Sequence, residues 1–468
     1  MHPGEDTHPA RLPKPGGGSL ARGGDVKNDK RTIFGWAMYD WANSAYATTS
    51  GAIVAPFFTG VIVPEEGYWG MSGGTIWSFL VSSGAFVLFL IMPVLGAVAD
   101  FSASKRLFLR AFAFLGALFT MGILFVPVGA VPLFLFVFLV SQVGFVAANV
   151  FYDGFLPIIS DEETIDKVSS RGFAYGYIGG GLYVLLAFIL IILADGGTIS
   201  MEVETATRIG IFGAGVWWVL FTVYSLSRLP EHGTASEIPA EYASRPKLIA
   251  YATIGLRRTI ATGKKLIGFK QILLFVIAFM FYNDGTQTVI NISGAYAEDT
   301  LGLSIQEVII AFLIVQFIAF GGAFGFGMIA ERITPKRAIL INLVVWMGLA
   351  FGAYFLPEGD PIPFYGLAAV VGFVLGGVQA LSRSLYGTMI PEEASAEFYG
   401  FFSVFSKFSA IWGPLLFGLV SRATGSGRPA ILSIVAFFVI GFVLLSRVDV
   451  DEARRSRDQW HFEGAEVV

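Results

Sequence analysis

The chain has 468 residues, of which 55% are apolar and only 14% charged, with a net charge of −4 and a mean hydropathy of +0.69. Soluble domains are about 25% charged, so a chain of this composition could not cover a water-exposed surface and belongs in a lipid bilayer. It has no cysteine, and His2, His8, His232 and His461 lie outside every long apolar run, which excludes disulfides, thiolate sites and an imidazole–metal site inside the membrane.

The first 30 residues hold His-Pro, Pro-Lys-Pro and a glycine triplet without an apolar run, and read as a disordered tail rather than a cleaved signal peptide. Twelve apolar runs follow, at about 33–62, 75–99, 107–127, 132–153, 172–194 and 208–227, then 271–296, 305–330, 338–356, 363–386, 399–421 and 429–446. A membrane helix needs about 20 such residues. The runs lack the period-two alternation of membrane strands, so helices are expected rather than a closed barrel. The long break at 229–270 carries Pro230, Pro239, Pro246 and many charges. After Arg447 the chain is charged, and a short amphipathic surface helix fits around 451–462.

Lysine and arginine set the expected orientation. If the N-terminus is cytoplasmic, 27 of the 31 fall in the tails and cytoplasmic loops, whereas the opposite side holds only Arg208, Arg422 and Arg428. Both termini and the 229–270 loop are therefore expected in the cytoplasm. The expected organisation is a tail at 1–31, a six-helix bundle at 32–228, a linker at 229–270, a second six-helix bundle at 271–447 and a tail at 448–468. The fold class is an all-α integral membrane protein, with twelve transmembrane helices in two pseudo-symmetric bundles.

The halves echo each other. Gly96-Ala-Val-Ala-Asp100 precedes Lys105-Arg106 at the end of span 2, and Gly327-Met-Ile-Ala-Glu331 precedes Lys336-Arg337 at the end of span 8. Asn149 stands eight residues before Pro157 in span 4, as Arg383 does before Pro391 in span 10. Tyr39-Asp40 in span 1 corresponds to Asn283-Asp284 in span 7.

Ionisable groups inside a membrane helix are costly and mark functional positions. In span 1, Asp40 and Asn43 share a face among Tyr39, Trp41 and Tyr46, a set suited to an ammonium-bearing solute. The alternatives are a buried structural partner of a basic group for Asp40, and interfacial anchoring for Trp36 and Trp41. In span 7, Asp284, Gln287 and Asn291 form one stripe beside Asn283, expected to face inward, with Gly285 expected to loosen the helix. Asn149 and Asp153 in span 4, and Gln379 and Arg383 in span 10, repeat an i, i+4 spacing, and Asp153 with Arg383 makes a candidate gate between the halves. Lys407 is the only Lys or Arg well inside a span, and a lone ammonium there needs a partner. Asp40, Asp284 or a solute carboxylate is expected to meet it. Gly172, Gly176 and Gly180, with Gly321 and Gly325, are small-xxx-small packing faces, expected at the contact between the halves.

The Gly-x-x-x-Asp with following basic residues resembles the loop signature of the major facilitator superfamily. Trp36-Ala-Met-Tyr-Asp-Trp-Ala-Asn-Ser-Ala-Tyr-Ala-Thr-Thr49, Asp284-Gly-x-Gln-Thr288, Gln379-Ala-Leu-Ser-Arg-Ser384 and Lys407…Gly413-Pro414 are similar to its vacuole-effluxer-like branch. That resemblance implies a transporter, covers about 33–447, and points to efflux of amino acids. It also implies that Asp100 and Glu331 act as a conformational latch between helices.

The resulting expectation is a secondary active or facilitative transporter working by alternating access, with an amino-acid-like polar solute, and protons where transport is coupled. The substrate-binding candidates are Tyr39, Asp40, Trp41, Asn43, Asn149, Asn283, Asp284, Gln287, Gln379 and Lys407. The gating candidates are Asp100, Asp153, Glu331 and Arg383. No cofactor, metal or nucleic-acid partner is expected, and no Walker motif supplies ATP chemistry. The alternatives are a non-transporting receptor or scaffold on a transporter fold, and a polytopic membrane enzyme, which lacks a histidine or cysteine centre here. A bacterial-type plasma membrane fits the basic tail without organelle targeting.

Overall fold

The computed structural model describes residues 27–231, 236, 238–242, 244–409 and 411–459; residues 1–26 of the expected 1–31 tail and 460–468 of the expected 448–468 tail lie outside them. Among the described residues every regular element is a helix, and the only β feature is the isolated bridge between Tyr68 and Met71. Twelve segments cross the bundle. In the first half they are span 1 (Lys30–Ile62), span 2 (Gly73–Phe101), span 3 (Lys105–Phe125), span 4 (Val131–Ile159), span 5 (Ile165–Asp195) and span 6 (Val203–Leu226). In the second half they are span 7 (Lys270–Thr300), span 8 (Ile305–Ile333), span 9 (Pro335–Tyr354), span 10 (Pro361–Met389), span 11 (Ser395–Phe408 then Trp412–Thr424) and span 12 (Gly427–Ser446).

Local chemistry sets the ends. Asp29 caps span 1 by accepting the Thr32 N–H at 2.8 Å, and Ser304 with Glu307 forms a reciprocal capping box on span 8. Proline occupies the first turn of spans 4, 9 and 10, where its missing N–H costs nothing. Pro56 lies between two π turns of span 1, Ser50–Val54 and Phe58–Ile62. A proline removes an intrahelical bond, and π turns widen the helix around such a gap. Span 11 is not the single helix expected over 399–421. It stops at Phe408 and restarts at Trp412.

Within each half, neighbouring spans pack closely, and the main buried cluster runs through both halves. Span 1 lies against spans 5 and 6, and span 3 against spans 4 and 6; span 7 lies against span 12, and span 8 against span 10. The glycine face of span 5 divides: Gly176, Gly179 and Gly180 pack on span 1 within the first half, and Gly172 alone of the three spaced glycines also meets the second half, at Arg383. A Cβ on Gly176 would meet Ser44 Oγ at 2.8 Å, and one on Gly179 would meet the Trp41 ring at 2.8 Å. Gly325 likewise faces Phe373 of its own half, and Gly321 has nothing within 4 Å. The halves also meet elsewhere. Span 2 crosses the first part of span 11, where a Cβ on Gly96 would fall 2.8 Å from Glu397 Cα and one on Gly400 would fall 3.0 Å from Pro93 Cα. Span 5 runs along spans 8 and 10, with Gly327 against Ser170.

The repeat extends to two arginines on the cation-poor side. Arg208, at the start of span 6, donates to the carbonyls of Val126 (2.7 Å) and Ile123 (3.3 Å) at the end of span 3. Arg428, at the start of span 12, donates to those of Tyr354 and Leu356 (both 2.7 Å) at the end of span 9. Each cation satisfies carbonyls that a helix end leaves without partners.

Both described chain ends lie at one end of the bundle, termed the tail end. Asn28 N–H donates to Ile159 O at 2.8 Å, and Lys27 reaches Glu392 of the second half at 2.6 Å. A C-terminal helix, Val450–Asp458, matches the amphipathic helix expected near 451–462, and its Arg457 reaches Glu162 of the first half at 2.6 Å. A linker helix, Lys247–Gly268, lies along the tail end of span 2.

Candidate functional site

A cavity of about 190 Å³ lies between the halves near the middle of the bundle. Three i, i+4 pairs supply its polar lining, Asn149 and Asp153 from span 4, Asn283 and Gln287 from span 7, and Gln379 and Arg383 from span 10. A helix turns 3.6 residues per turn, so each pair stacks on one face. Phe145, Phe173, Phe279 and Phe402 supply the apolar walls, and Ser403 and Ser406 of span 11 add hydroxyls. Asn43 Nδ2 holds Asn149 by donating to its Oδ1 at 2.6 Å, and the Tyr177 hydroxyl hydrogen-bonds Gln379 Oε1 across the halves.

The tail side of the cavity is closed by Arg383. This side chain leaves span 10 and enters the first half, where it is 5% exposed. Its Nη1 donates to Asp153 Oδ1 at 3.1 Å and Asp40 Oδ2 at 3.3 Å. Its Nε donates to Ser169 Oγ at 3.0 Å, and Nη2 to Ser169 O at 2.9 Å. The rings of Phe173 and Trp36 lie 4.1 and 4.9 Å from the guanidinium carbon. The Tyr152 hydroxyl donates to Asp40 Oδ2 at 2.7 Å, and Trp36 Nε1 donates to Tyr152 O at 2.9 Å. A planar fork of donors with aromatic faces is the environment that suits a buried guanidinium. Gly172 admits it, since a Cβ there would fall 2.7 Å from Asp40 Oδ2 and 2.8 Å from Arg383 Nη2.

Asp40 therefore sits beneath the cavity as a partner of a basic group from the other half. Tyr39 is fully buried, with its ring 4.9 Å from that of Tyr152. Trp36 is fully buried against Arg383 and Tyr152, inside the first half rather than at its surface, whereas Trp41 is half-buried and stacks on Trp217 at 5.7 Å.

The span 7 stripe divides. Asn283 and Gln287 line the cavity, whereas Asp284 turns into its own half, where Oδ1 accepts the Gly413 N–H at 2.8 Å and the Thr288 hydroxyl at 3.3 Å. Asn291 is exposed. Asp284 thus sits at the start of the second part of span 11, and Asn283 Nδ2 bonds Ser409 Oγ beside the interruption. Gly285 does not loosen the helix, which runs unbroken over Lys270–Ala295; the missing side chain leaves room for the Phe438 ring, 2.9 Å from a Cβ built there. The side chain of Lys407 lies outside the described residues.

A second tie closes the tail end. Asp100 Oδ2 accepts the Glu397 N–H at 2.8 Å at the start of span 11, and Asp100 Oδ1 lies 2.8 Å from Lys105 Nζ. Lys105 donates to Ser395 Oγ at 2.9 Å, and Ser395 donates to Gly154 O at 2.8 Å. Arg258 of the linker helix lies 3.4 Å from Glu397. Glu331 meets Lys167 of the first half at 3.4 Å, half-exposed, and the Ser384 hydroxyl hydrogen-bonds Asp166 beside it.

Sequence reading missed Tyr152, Ser169, Phe173 and Phe402. Tyr152 stood beside Asp153, the one signal that was available. Ser169 contributes partly through its carbonyl, which no residue type encodes.

A family model described as vacuole effluxer Atg22 like matches residues 75–458. An uncharacterized MFS-type transporter of Bacillus subtilis (strain 168), YxiO, is 32% identical over 413 residues, covering 88% of this chain and 94% of the relative. Autophagy-related protein 22 of Coccidioides immitis (strain RS) is 25% identical over 446 residues, covering 81% and 72%. Among solved structures, a major facilitator superfamily transporter in the outward conformation, FucP, superposes with a TM-score of 0.66 at 12% identity over 90% of this chain and 98% of that one. The proton:xylose symporter XylE gives 0.65 at 15% identity over 91% and 97%. The fold is that of the major facilitator superfamily, and the chain belongs to the vacuole effluxer Atg22-like family of MFS-type membrane transporters.

Proposed function

We propose that this transporter moves a small, net-neutral polar solute of amino-acid size by alternating access, with the central cavity as its binding site. The observation carrying this reading is the lining. Four carboxamides and two hydroxyls face a cavity whose charges, Asp153 and Arg383, already pair with each other. Carboxamides donate and accept, so they suit both ends of a zwitterion without selecting a net charge. A cavity of about 190 Å³ suits a small solute rather than a polymer. The description of the matching family, vacuole effluxer, supports an export role.

In this reading the halves rock about the cavity. The tail end is shut here by the Arg383 and Asp100 clusters, and it opens when Arg383 leaves Asp40 and Asp153. A proton on either carboxylate would weaken that hold, giving coupled transport a physical route. The lysine and arginine distribution supports cytoplasmic termini in a plasma membrane.

The test is uptake of radiolabelled amino acids into proteoliposomes, with and without a pH gradient. Saturable uptake of neutral amino acids, lost in Gln379→Ala and Asn283→Ala proteins that still fold, is the expected result. Selective transport of organic anions or sugars would overturn the solute assignment.

A further inference from the structure

The linker helix Lys247–Gly268 has two faces with different fates. Its inner face is seated on span 2 and span 11. Ala250, Ile254, Arg258 and Thr262 are buried. A Cβ on Gly255 would meet Val94 O at 3.1 Å, and Arg258 lies 3.4 Å from Glu397. That seating fixes the direction of the other face. Ile249, Leu256, Ile260 and Ile267 project from it, each at least 51% exposed. At 100° per residue these four fall within about 40° of one another, so they form one aliphatic stripe. Arg257 and Lys264, both exposed, line one edge of it.

Charge identifies the occupant. Residues 244–270 contain seven Lys or Arg and no Asp or Glu. Glu241, outside that stretch, approaches Arg257 at 3.0 Å and is half-exposed. Helix and membrane are continuous, because Phe269 alone separates Gly268 from the first residue of span 7, Lys270. An apolar stripe edged with cations, tethered within one residue of a membrane span, matches an interfacial helix on an acidic leaflet.

We propose that the linker helix is an anionic-lipid docking surface, with Ile249, Leu256, Ile260 and Ile267 in the acyl region of the tail-end leaflet and Arg257 and Lys264 on phospholipid headgroups. This does not depend on which solute is carried. A water-soluble partner of acidic character would share the cations but would keep the stripe away from acyl chains, which separates the two experimentally.

The sequence contains no cysteine, so Ile260→Cys takes one thiol-reactive fluorophore. The full chain is reconstituted in phosphatidylcholine vesicles with or without phosphatidylglycerol, using acyl chains brominated as quenchers. Leu118→Cys on span 3, 60% exposed, is the insertion control and is quenched in every mixture. The expected result is quenching at position 260 that strengthens with phosphatidylglycerol and weakens with salt. Arg257→Gln with Lys264→Gln removes the lipid dependence, lowering the docked-to-undocked ratio about fivefold per cation. Quenching by aqueous iodide but not by bromolipid would overturn the proposal, as would bromolipid quenching indifferent to phosphatidylglycerol. Protection from both quenchers would assign the stripe to a protein partner or a second copy, and would equally overturn it.

Discussion

Arg383 is the side chain on which the two halves converge. It reaches into the first half while belonging to the second, and two carboxylates, one serine and three aromatic faces hold it. Removing one member of a buried charge cluster leaves the others unpaired, at about 3–5 kcal/mol. Arg383→Met is therefore expected to lower the thermal midpoint far more than Arg383→Met combined with Asp40→Asn and Asp153→Asn, in which no buried charge remains. A triple variant as unstable as the single one would show that packing, not charge, holds this region. Arg383→Lys keeps the charge but loses the fork that serves Ser169, Asp40 and Asp153 together. It is expected to fold with reduced transport, checked by initial uptake rates. Asp40 and Arg383 stand 343 residues apart in sequence. The cost of a charge in the membrane made both residues conspicuous. Nothing in either segment revealed that they touch, because that contact exists only once two bundles close on each other.

At the scale of elements, the interruption of span 11 organises its surroundings. The N–H groups that begin the second part of the helix lack intrahelical partners, and Asp284 takes that of Gly413 at 2.8 Å. A negative group at a helix start also meets the favourable end of the helix dipole. Loss of a capping side chain costs about 1 kcal/mol, so Asp284→Ala is expected to destabilise modestly. Asp284→Asn keeps the acceptor oxygen and should cost less. Gly413→Ala should exceed both, since a Cβ there would lie 2.7 Å from Asp284 Oδ1. Thermal unfolding of the three variants in detergent checks that order, and a harmless Gly413→Ala would refute it. The twelve spans were legible because hydrophobic length is a one-dimensional property. The break had a signal that the hydrophobic length hid: Pro414 follows it, and a proline cannot donate to the carbonyl four residues earlier, which falls in the gap. Periodicity placed Asp284 with Gln287 and Asn291. A helix face is wide enough to be shared between a cavity and a neighbouring helix, and there the stripe divides. The glycines of span 5 were read as packing surfaces, but spacing carries no address: Gly176, Gly179 and Gly180 meet span 1 of the same half, whereas Gly172 also meets Arg383 of the other.

At the scale of the whole molecule, the tail end is closed by two kinds of tie. The inner ones, Arg383 and Asp100, are buried. The outer ones include Lys167 with Glu331 and two reciprocal straps: Lys27 of the first half reaches Glu392 of the second, and Arg457 of the second reaches Glu162 of the first, also donating to Thr388 O at 2.8 Å. Exposed ion pairs contribute about 0–1 kcal/mol each. The straps can therefore release within a transport cycle without dominating its energy, and holding them shut artificially should stop the cycle. Glu162→Cys with Arg457→Cys provides the means, because the native chain contributes no competing thiol. A short bifunctional maleimide across this pair would tie the halves in the tail-closed state. Gln271→Cys with Glu452→Cys is the control. Those residues hydrogen-bond at 2.7 Å, but both belong to the second half, so linking them leaves the halves free to rock. Solute exchange should fall to background on linking positions 162 and 457 and persist on linking positions 271 and 452. Before linking, the Glu162→Cys, Arg457→Cys double variant should retain most of its activity, because the contacts removed are partly exposed and no buried charge is left unpaired. Unchanged exchange after linking that pair would mean that the tail end does not open during transport, and rigid-body rocking of the two halves would have to be abandoned.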